Sequence, residues 1–238
     1  MAPQSEVAEI FDRYRIADLP VVGPNSVLLG IVYNATLVEV VQRDASADIQ
    51  TMVGASRDER ALSSPFFAVR KRLPWLQINL LTAFLAAAVV GLFEDTIARF
   101  TALAVLLPVV AGQSGNAGAQ ALAVTMRGLA LREITIREAF RVSSKEVLVG
   151  LANGIAVAAT CGIGVYLWSG SIGLVLVIAS SMVLAMVAAG LAGAVVPIGL
   201  TRVGQDPAVA SSIILTTVTD IAGFFSFLGI ATMLAFML

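Results

Sequence analysis

The 238-residue chain is strongly apolar: hydrophobic residues make up 58% of it and charged residues only 13%. Soluble domains typically carry about 25% charged residues, so this composition excludes a soluble globule and indicates a membrane protein. Residues 1–64 hold nine acids and five bases, whereas residues 65–238 hold seven acids and ten bases. This split predicts a small acidic soluble segment joined to a membrane domain.

The soluble segment shows a strand–turn–strand–helix pattern. Two apolar runs flank Pro24, Asn25 and Ser26, which are typical turn residues. A helix is expected to begin near Ala35 or Thr36. The first fifteen residues are too charged for a secretory signal peptide.

Five apolar segments are long enough to cross a bilayer, which takes about 20 residues. They lie at roughly 74–93, 97–126, 146–168, 171–200 and 208–237. Of the ten bases in residues 65–238, nine lie before the first span or in the second and fourth connections, and only Arg99 lies on the other side. Bases concentrate on the cytoplasmic side of membrane proteins. The pattern therefore predicts a cytoplasmic N-terminus and an extracytoplasmic C-terminus.

The third and fourth spans are rich in glycine and alanine. Small residues let helices approach closely in lipid, so we interpret these spans as packing elements without a site. Cys161 lies in such a run and cannot form an internal disulfide, because it is the only cysteine. Pro197 is expected to kink the fourth span near its cytoplasmic end.

The fifth span contains one acidic residue near its middle, Asp220. An ionised carboxylate at the bilayer centre costs about 2.5–3.5 kcal/mol on insertion scales, so it should face protein or water. Ser212 and Thr216 precede it by two turns and one turn, which gives a single polar stripe. The stripe favours a cation site, and the alternative is a structural hydrogen bond between helices.

The second span contains a polar, glycine-rich run, PVVAGQSGNAGAQ, at residues 108–120. Pro108 and the glycines are expected to weaken the helical hydrogen-bond ladder and free carbonyls to line a wet cavity. Carbonyl oxygens, the amides of Asn116 and Gln120, and one carboxylate suit a hard cation such as Mg²⁺. The chain has no histidine that would favour zinc or copper. A glycine-rich helix contact without function is the alternative.

These runs resemble the MgtE family of magnesium channels and its solute-carrier relatives. PVVAGQSGNAGAQ resembles the second transmembrane helix of the family, QDPAVASSIILTTVTDIAGFFSF the fifth, and LFEDTIARFTALAVLLP the acidic external loop before the second. The soluble segment resembles the closing half of a CBS repeat followed by an amphipathic plug helix. The resemblance covers nearly all of the chain.

The resemblance implies a homodimer whose pore is lined by the second and fifth helices of both chains. Asp220 would be the central site, Asp206 would lie at the cytoplasmic mouth and Glu94 and Asp95 at the outer mouth. The acids of the plug helix would bind the Mg²⁺ that holds the pore closed. The metal-binding residues it implies are Asp220, Asn116, Gly112, Asp206, Asp48, Asp44, Asp95 and Glu94. The pore-lining residues it implies are Ser212, Thr216, Gly115 and Gln120. Ser114 and Ser212 depart from the pattern of the family, which bears on affinity and selectivity.

We therefore predict a mostly α fold: a five-helix transmembrane domain with a homodimeric pore and a small cytosolic α/β CBS-like remnant. The expected domains are the CBS-like segment at 1–34, the plug helix and linker at 35–64, and the channel domain at 65–238. The acidic N-domain of the family and most of its two CBS repeats have no counterpart in these residues. Their absence argues against nucleotide binding and predicts weak inhibition by internal Mg²⁺.

The predicted function is passive, potential-driven transport of Mg²⁺, and of other divalent cations, across the inner or plasma membrane. Mg²⁺ is both the transported ion and a regulatory ligand in this interpretation. A Na⁺- or H⁺-coupled exchanger and a non-conducting membrane sensor are the alternatives. The chain has no HExxH or GxSxG motif and no Walker loop, so neither an enzyme nor an ATP-driven pump is expected. Its bases follow the membrane boundary without interleaved aromatics, so nucleic acid is not an expected partner.

Overall fold

The computed structural model describes residues 7, 10, 11, 13–24, 26–34 and 50–238. The chain divides into two compact units: Met1–Thr51 with Ser56–Asp58, and Met52–Ala55 with Glu59–Leu238. Residues 35–49 of the predicted plug helix and linker, which include Asp44 and Asp48, lie outside the described residues.

The first unit contains a β-hairpin. Strand β1 (Asp18–Val22) pairs antiparallel with β2 (Leu28–Tyr33), with Asp18 opposite Tyr33. The turn is closed by two backbone hydrogen bonds, from the Gly23 N–H to the Val27 carbonyl (2.9 Å) and from the Ser26 N–H to the Gly23 carbonyl (3.0 Å). The predicted strand–turn–strand pattern is confirmed, although Asn25 is outside the described residues.

From residue 65 onward the second unit forms six α-helices. They are α1 (Pro65–Gly91), α2 (Glu94–Arg99), α3 (Ala102–Ala130), α4 (Ala139–Ser169), α5 (Ile172–Arg202) and α6 (Pro207–Met233). A 3₁₀ turn at Ile136–Glu138 precedes α4. All but α2 are long and apolar enough to cross a membrane, which confirms the five predicted spans.

The structure corrects the predicted starts of the first two spans. Helix α1 begins nine residues before position 74, because Ser64 caps it by accepting a hydrogen bond from the Phe67 N–H (3.4 Å) and Pro65 occupies its first turn. The second span begins at Ala102 rather than at 97, because the chain forms the separate short helix α2 first.

Helix α5 is the centre of the membrane unit and packs against α3, α4 and α6. Its contact with α4 depends on small residues at both helices. A Cβ added at Gly190 would lie 2.7 Å from the Glu146 carbonyl oxygen, and one at Gly150 would lie 2.6 Å from the Met186 carbonyl oxygen. The predicted packing role of the glycine-rich third and fourth spans is therefore confirmed.

The segment before α1 is docked onto the membrane unit. Met52 packs against the apolar cluster of Leu122, Ala192 and Leu215, which belong to α3, α5 and α6. Glu59 is only 6% exposed, and it accepts a hydrogen bond from Arg72 Nε (3.0 Å) and a second bond from the same guanidinium. This bidentate pair lowers the pKa of the Glu59 carboxyl below its ordinary value. The segment is thus tied to α1 by charge and to three other helices by packing.

Candidate cation site on helices α3 and α6

Helix α3 is continuous through the proline and the glycines. The weakening that we expected within residues 108–120 does not interrupt the helix, which runs from Ala102 to Ala130 with Pro108 inside it. Pro108 still lacks an N–H, so it cannot bond the carbonyl four residues earlier. Ser114 turns its hydroxyl back onto the helix, donating to the carbonyls of Val110 (2.9 Å) and Ala111 (3.2 Å). Any ligand oxygens on this helix therefore come from a regular helical surface.

One face of α3 packs against α6. Ser114 and Gly118 are buried on it, and a Cβ added at Gly118 would lie 3.0 Å from Leu215 Cδ1 and 3.1 Å from Thr219 Cγ2. From the other side, a Cβ at Gly223 would lie 3.3 Å from Ser114 Oγ. These small residues bring the two helices close together. Sequence reasoning did not assign Gly118 this role, because its partner is about a hundred residues away.

Another face of α3 carries the predicted ligand residues. Gly112, Asn116 and Gln120 are each four residues apart, so they share one side of the helix, and all three are exposed in the single chain. Gly115 is half-buried, and a Cβ added at Gly112 or Gly115 would meet no atom within 4 Å. These glycines therefore make no close contact within the chain, unlike Gly118.

Asp220 lies at the midpoint of α6, thirteen residues from Pro207 and thirteen from Met233. At 1.5 Å per residue, about 20 Å of helix extends on each side of it. Its side chain is half-buried, and it makes no hydrogen bond or ion pair with any described residue. Ser212 is half-buried and Thr216 is exposed, and the Thr216 hydroxyl donates to the Ser212 and Ile213 carbonyls (3.0 Å each). The structural hydrogen bond weighed as the alternative role of Asp220 is not found within the described residues.

The remaining predicted acids lie at the two ends of α6. Asp206 is the N-cap of the helix and accepts a hydrogen bond from the Ala208 N–H (2.9 Å). Glu94 and Asp95 are exposed on α2, beside the opposite end of α6.

Two side-chain contacts attach α2 to that end of α6. The rings of Phe93 and Phe225 meet edge to face with centroids 5.9 Å apart, and the hydroxyls of Thr96 and Thr232 are 3.0 Å apart. The acids at 94 and 95 are therefore held close to the C-terminal end of α6.

Glu146 of α4 is a buried acid that was not identified from the sequence. Glu146 is only 4% exposed in α4, and its carboxylate pairs with Lys145 Nζ at 2.5 Å. The span was expected to begin at this residue, whereas α4 begins at Ala139 and places Glu146 two turns inside. Among the described residues, no three acids, cysteines or histidines come together to hold a metal ion. Asp220 therefore stands as a single carboxylate in one chain.

Known proteins resemble this chain over nearly all of its length. The family model described as "MgtE: Divalent cation transporter" matches residues 107–230, which include most of α3 and α6. The magnesium transporter MgtE of Bacillus subtilis is 34% identical over 96% of this chain and 51% of its own length. The magnesium transporters MgtE of Enterococcus faecalis and Thermus thermophilus are each 33% identical over 97% of this chain, covering 51% and 52% of their own lengths. The chain thus spans about half the length of the curated relatives it matches.

Proposed function

Because the chain belongs to the MgtE family of divalent cation transporters, we propose that it is a channel that conducts Mg²⁺ passively across the inner or plasma membrane. The family consists of transporters rather than enzymes, and the five long apolar helices make the chain a multi-pass membrane protein. The orientation follows the basic residues, with the N-terminus in the cytoplasm.

The proposal depends on the position and surroundings of Asp220. This residue is a half-buried carboxylate at the middle of a spanning helix, without a partner among the described residues. A charge at that depth costs several kcal/mol unless water or a counter-ion reaches it. A passing divalent cation supplies the counter-charge.

The site on one chain is incomplete, and a second copy completes it. One carboxylate cannot balance a divalent ion, whereas two Asp220 side chains across a dimer axis carry two negative charges. The exposed face of α3 with Gly112, Asn116 and Gln120 supports an interface or water-filled pore beside α6, because a polar face is costly against lipid. The pore would be lined by α3 and α6 of both chains.

The ion is expected to pass through largely hydrated. Mg²⁺ gives up its waters reluctantly and usually binds proteins through only one or two carboxylates. Asp220 would hold the ion through its water shell, and the Asn116 amide and the Gly112 carbonyl would accept hydrogen bonds from those waters. Ser212, Thr216 and Gly115 would line the passage. Such a site discriminates by charge and hydrated size.

The acids at the ends of α6 would act at the mouths of the pore. Asp206 would meet ions at the cytoplasmic end, and Glu94 and Asp95 would meet them at the outer end. Asp44 and Asp48 would bind the internal Mg²⁺ that stabilises the closed state. A membrane potential of 100 mV supplies about 4.6 kcal/mol for each divalent ion moving inward, since each charge contributes about 2.3 kcal/mol.

The test is uptake of Mg²⁺ into liposomes that contain the purified chain, with no Na⁺ or H⁺ gradient imposed. Wild type should take up Mg²⁺, and Asp220→Asn should lower the rate at least about tenfold, which corresponds to about 1.4 kcal/mol of lost interaction. The matched control is Ser226→Ala in the same helix, whose hydroxyl bonds only its own backbone (3.1 Å to the Gly223 carbonyl). Normal uptake by Asp220→Asn would overturn the proposal, and uptake that requires a Na⁺ or H⁺ gradient would indicate an exchanger.

A further inference from the structure

A cavity of about 310 Å³ opens where the end of α3 meets the start of α4. Its apolar wall includes Val124 of α3, Ile134 of the connection and Val142 of α4. Its polar lining includes Glu133, Arg141 and Glu146. None of these six residues has a place in the cation pathway proposed above.

Two of the carboxylates in the cavity are already engaged by the chain. Glu146 is buried and forms an ion pair with Lys145 (2.5 Å), so this pair carries no net charge. Glu138 closes the turn before α4, accepting hydrogen bonds from the Thr135 N–H (2.9 Å) and hydroxyl (3.3 Å). Both of these donors are neutral and bond only Oε2, so Glu138 keeps its negative charge, whereas Glu146 is neutralised by Lys145.

Two further side chains of the lining, of opposite charge, have no partner among the described residues. Arg141 and Glu133 are exposed, and neither side chain makes a hydrogen bond or ion pair with any described residue. The cavity therefore offers one guanidinium, at Arg141, and two carboxylates, at Glu133 and Glu138, beside apolar walls. A ligand that complements it carries one anionic group, one cationic group and an apolar portion.

The lengths of the apolar runs around the cavity lead us to expect it at the surface of the bilayer. Its charged residues lie between the last apolar turns of α3, which ends at Ala130, and the apolar run of α4 that follows Glu146. The adjoining side chains of Val124 and Leu148 are exposed and apolar, so they would meet lipid chains. Pockets with charged side chains between transmembrane helices at this level can bind lipid headgroups.

We propose that this cavity binds the headgroup of phosphatidylethanolamine. The planar guanidinium of Arg141 suits the phosphate, which it can bond in a bidentate manner. The primary ammonium of the lipid can donate a hydrogen bond to the Glu133 carboxylate, whereas the trimethylammonium of phosphatidylcholine has no N–H to donate. Phosphatidylglycerol has no cationic group, so it would leave Glu133 uncompensated beside an added negative charge. The site thus favours an ethanolamine headgroup over both of the others.

The test is native mass spectrometry of the purified chain after exchange into equal mixtures of phosphatidylethanolamine with phosphatidylcholine or phosphatidylglycerol. Wild type should retain phosphatidylethanolamine at least about tenfold over either competitor, which corresponds to about 1.4 kcal/mol. Arg141→Gln should lose most retention of both ethanolamine and choline lipids. Glu133→Gln should reduce the preference between them while still retaining lipid through the phosphate.

The matched control is Arg127→Gln, which removes the same charge from the end of α3 but does not line the cavity. It should keep the retention and the preference of wild type. Equal retention of the ethanolamine and choline lipids by wild type would overturn the proposal, as would tighter binding of phosphatidylglycerol. A loss in Arg127→Gln as large as that in Arg141→Gln would also overturn it, since general surface charge would then explain the binding. These outcomes are independent of Mg²⁺ conduction.

Discussion

Replacing Gly193 with alanine tests how closely α5 must approach the helix that carries the predicted ligand residues. A Cβ at Gly193 would lie 2.6 Å from Ala121 Cβ, 2.7 Å from the Gly118 carbonyl oxygen and 2.9 Å from the Leu122 nitrogen. Carbon atoms in contact normally lie about 3.5–4.0 Å apart, so the helices must separate by about 1 Å. Two of the three neighbours are backbone atoms, which cannot rotate away.

Overpacking of this kind typically costs about 1–3 kcal/mol. The control is Gly199→Ala in the same helix, where an added Cβ would meet no atom within 4 Å. Both changes bring the same gain in helix propensity, so the difference between the two variants isolates the clash. Gly193→Ala should therefore be about 5- to 150-fold less favourable than Gly199→Ala in the folding equilibrium.

The assay is reversible unfolding of both variants in the same detergent, followed by Mg²⁺ uptake into liposomes. Because Gly118 also packs against Leu215 and Thr219 of α6, moving α3 should displace Asn116 relative to Asp220 and slow uptake. Equal stability of the two variants would refute the close approach of α3 and α5. Normal uptake by a destabilised Gly193→Ala would refute the link between this packing and transport.

Three further predictions concern other parts of the chain. The pKa of Glu59 is lowered in the folded state, so its ion pair with Arg72 should stabilise the protein at pH values above the unfolded pKa. This stabilisation should disappear as the pH falls through the folded pKa. Unfolding midpoints measured from pH 7 to pH 3 should therefore fall less steeply in Glu59→Gln than in wild type. Asp206→Ala should lower stability by about 0.5–2 kcal/mol through the lost N-cap. Asp206→Asn keeps a capping side chain and should slow ion entry, measured as uptake at low Mg²⁺. Gly112→Val or Gly115→Val should block conduction or dimerisation without destabilising the single chain. Ala87→Val, on the exposed side of α1, should have only a mild effect on both. Mg²⁺ uptake measures conduction, and cross-linking measures dimerisation.

Several elements could be predicted from the sequence because their cause is local. A run of about 20 apolar residues can satisfy its backbone only as a spanning helix, which explains why five spans were found. The turn residues around Pro24 likewise predicted the β-hairpin. The mid-membrane position of Asp220 follows from counting residues along α6, and the structure places it at the helix midpoint.

Other features depend on contacts between distant residues, which periodicity does not contain. Gly118 and Gly112 look alike in the sequence, yet only Gly118 touches another helix within the chain. The expected weakening does not interrupt α3, because the glycines and Pro108 fit a continuous helix that packs on one side against α6. The contacts of Met52 and Glu59 could not be predicted from the sequence around them. Their partners lie on the helices, outside the segment that precedes α1.

The most direct test of the central claim is the reversal potential of Mg²⁺ current through bilayers that contain the purified chain, with a Mg²⁺ gradient as the only ion gradient. A passive channel for a divalent ion should shift its reversal potential by about 30 mV for each tenfold change in the gradient, because about 1.4 kcal/mol is then balanced by two charges. Asp220→Asn should abolish this current. A reversal potential that does not follow the Mg²⁺ gradient, or an unchanged current in Asp220→Asn, would contradict passive conduction of Mg²⁺ past Asp220.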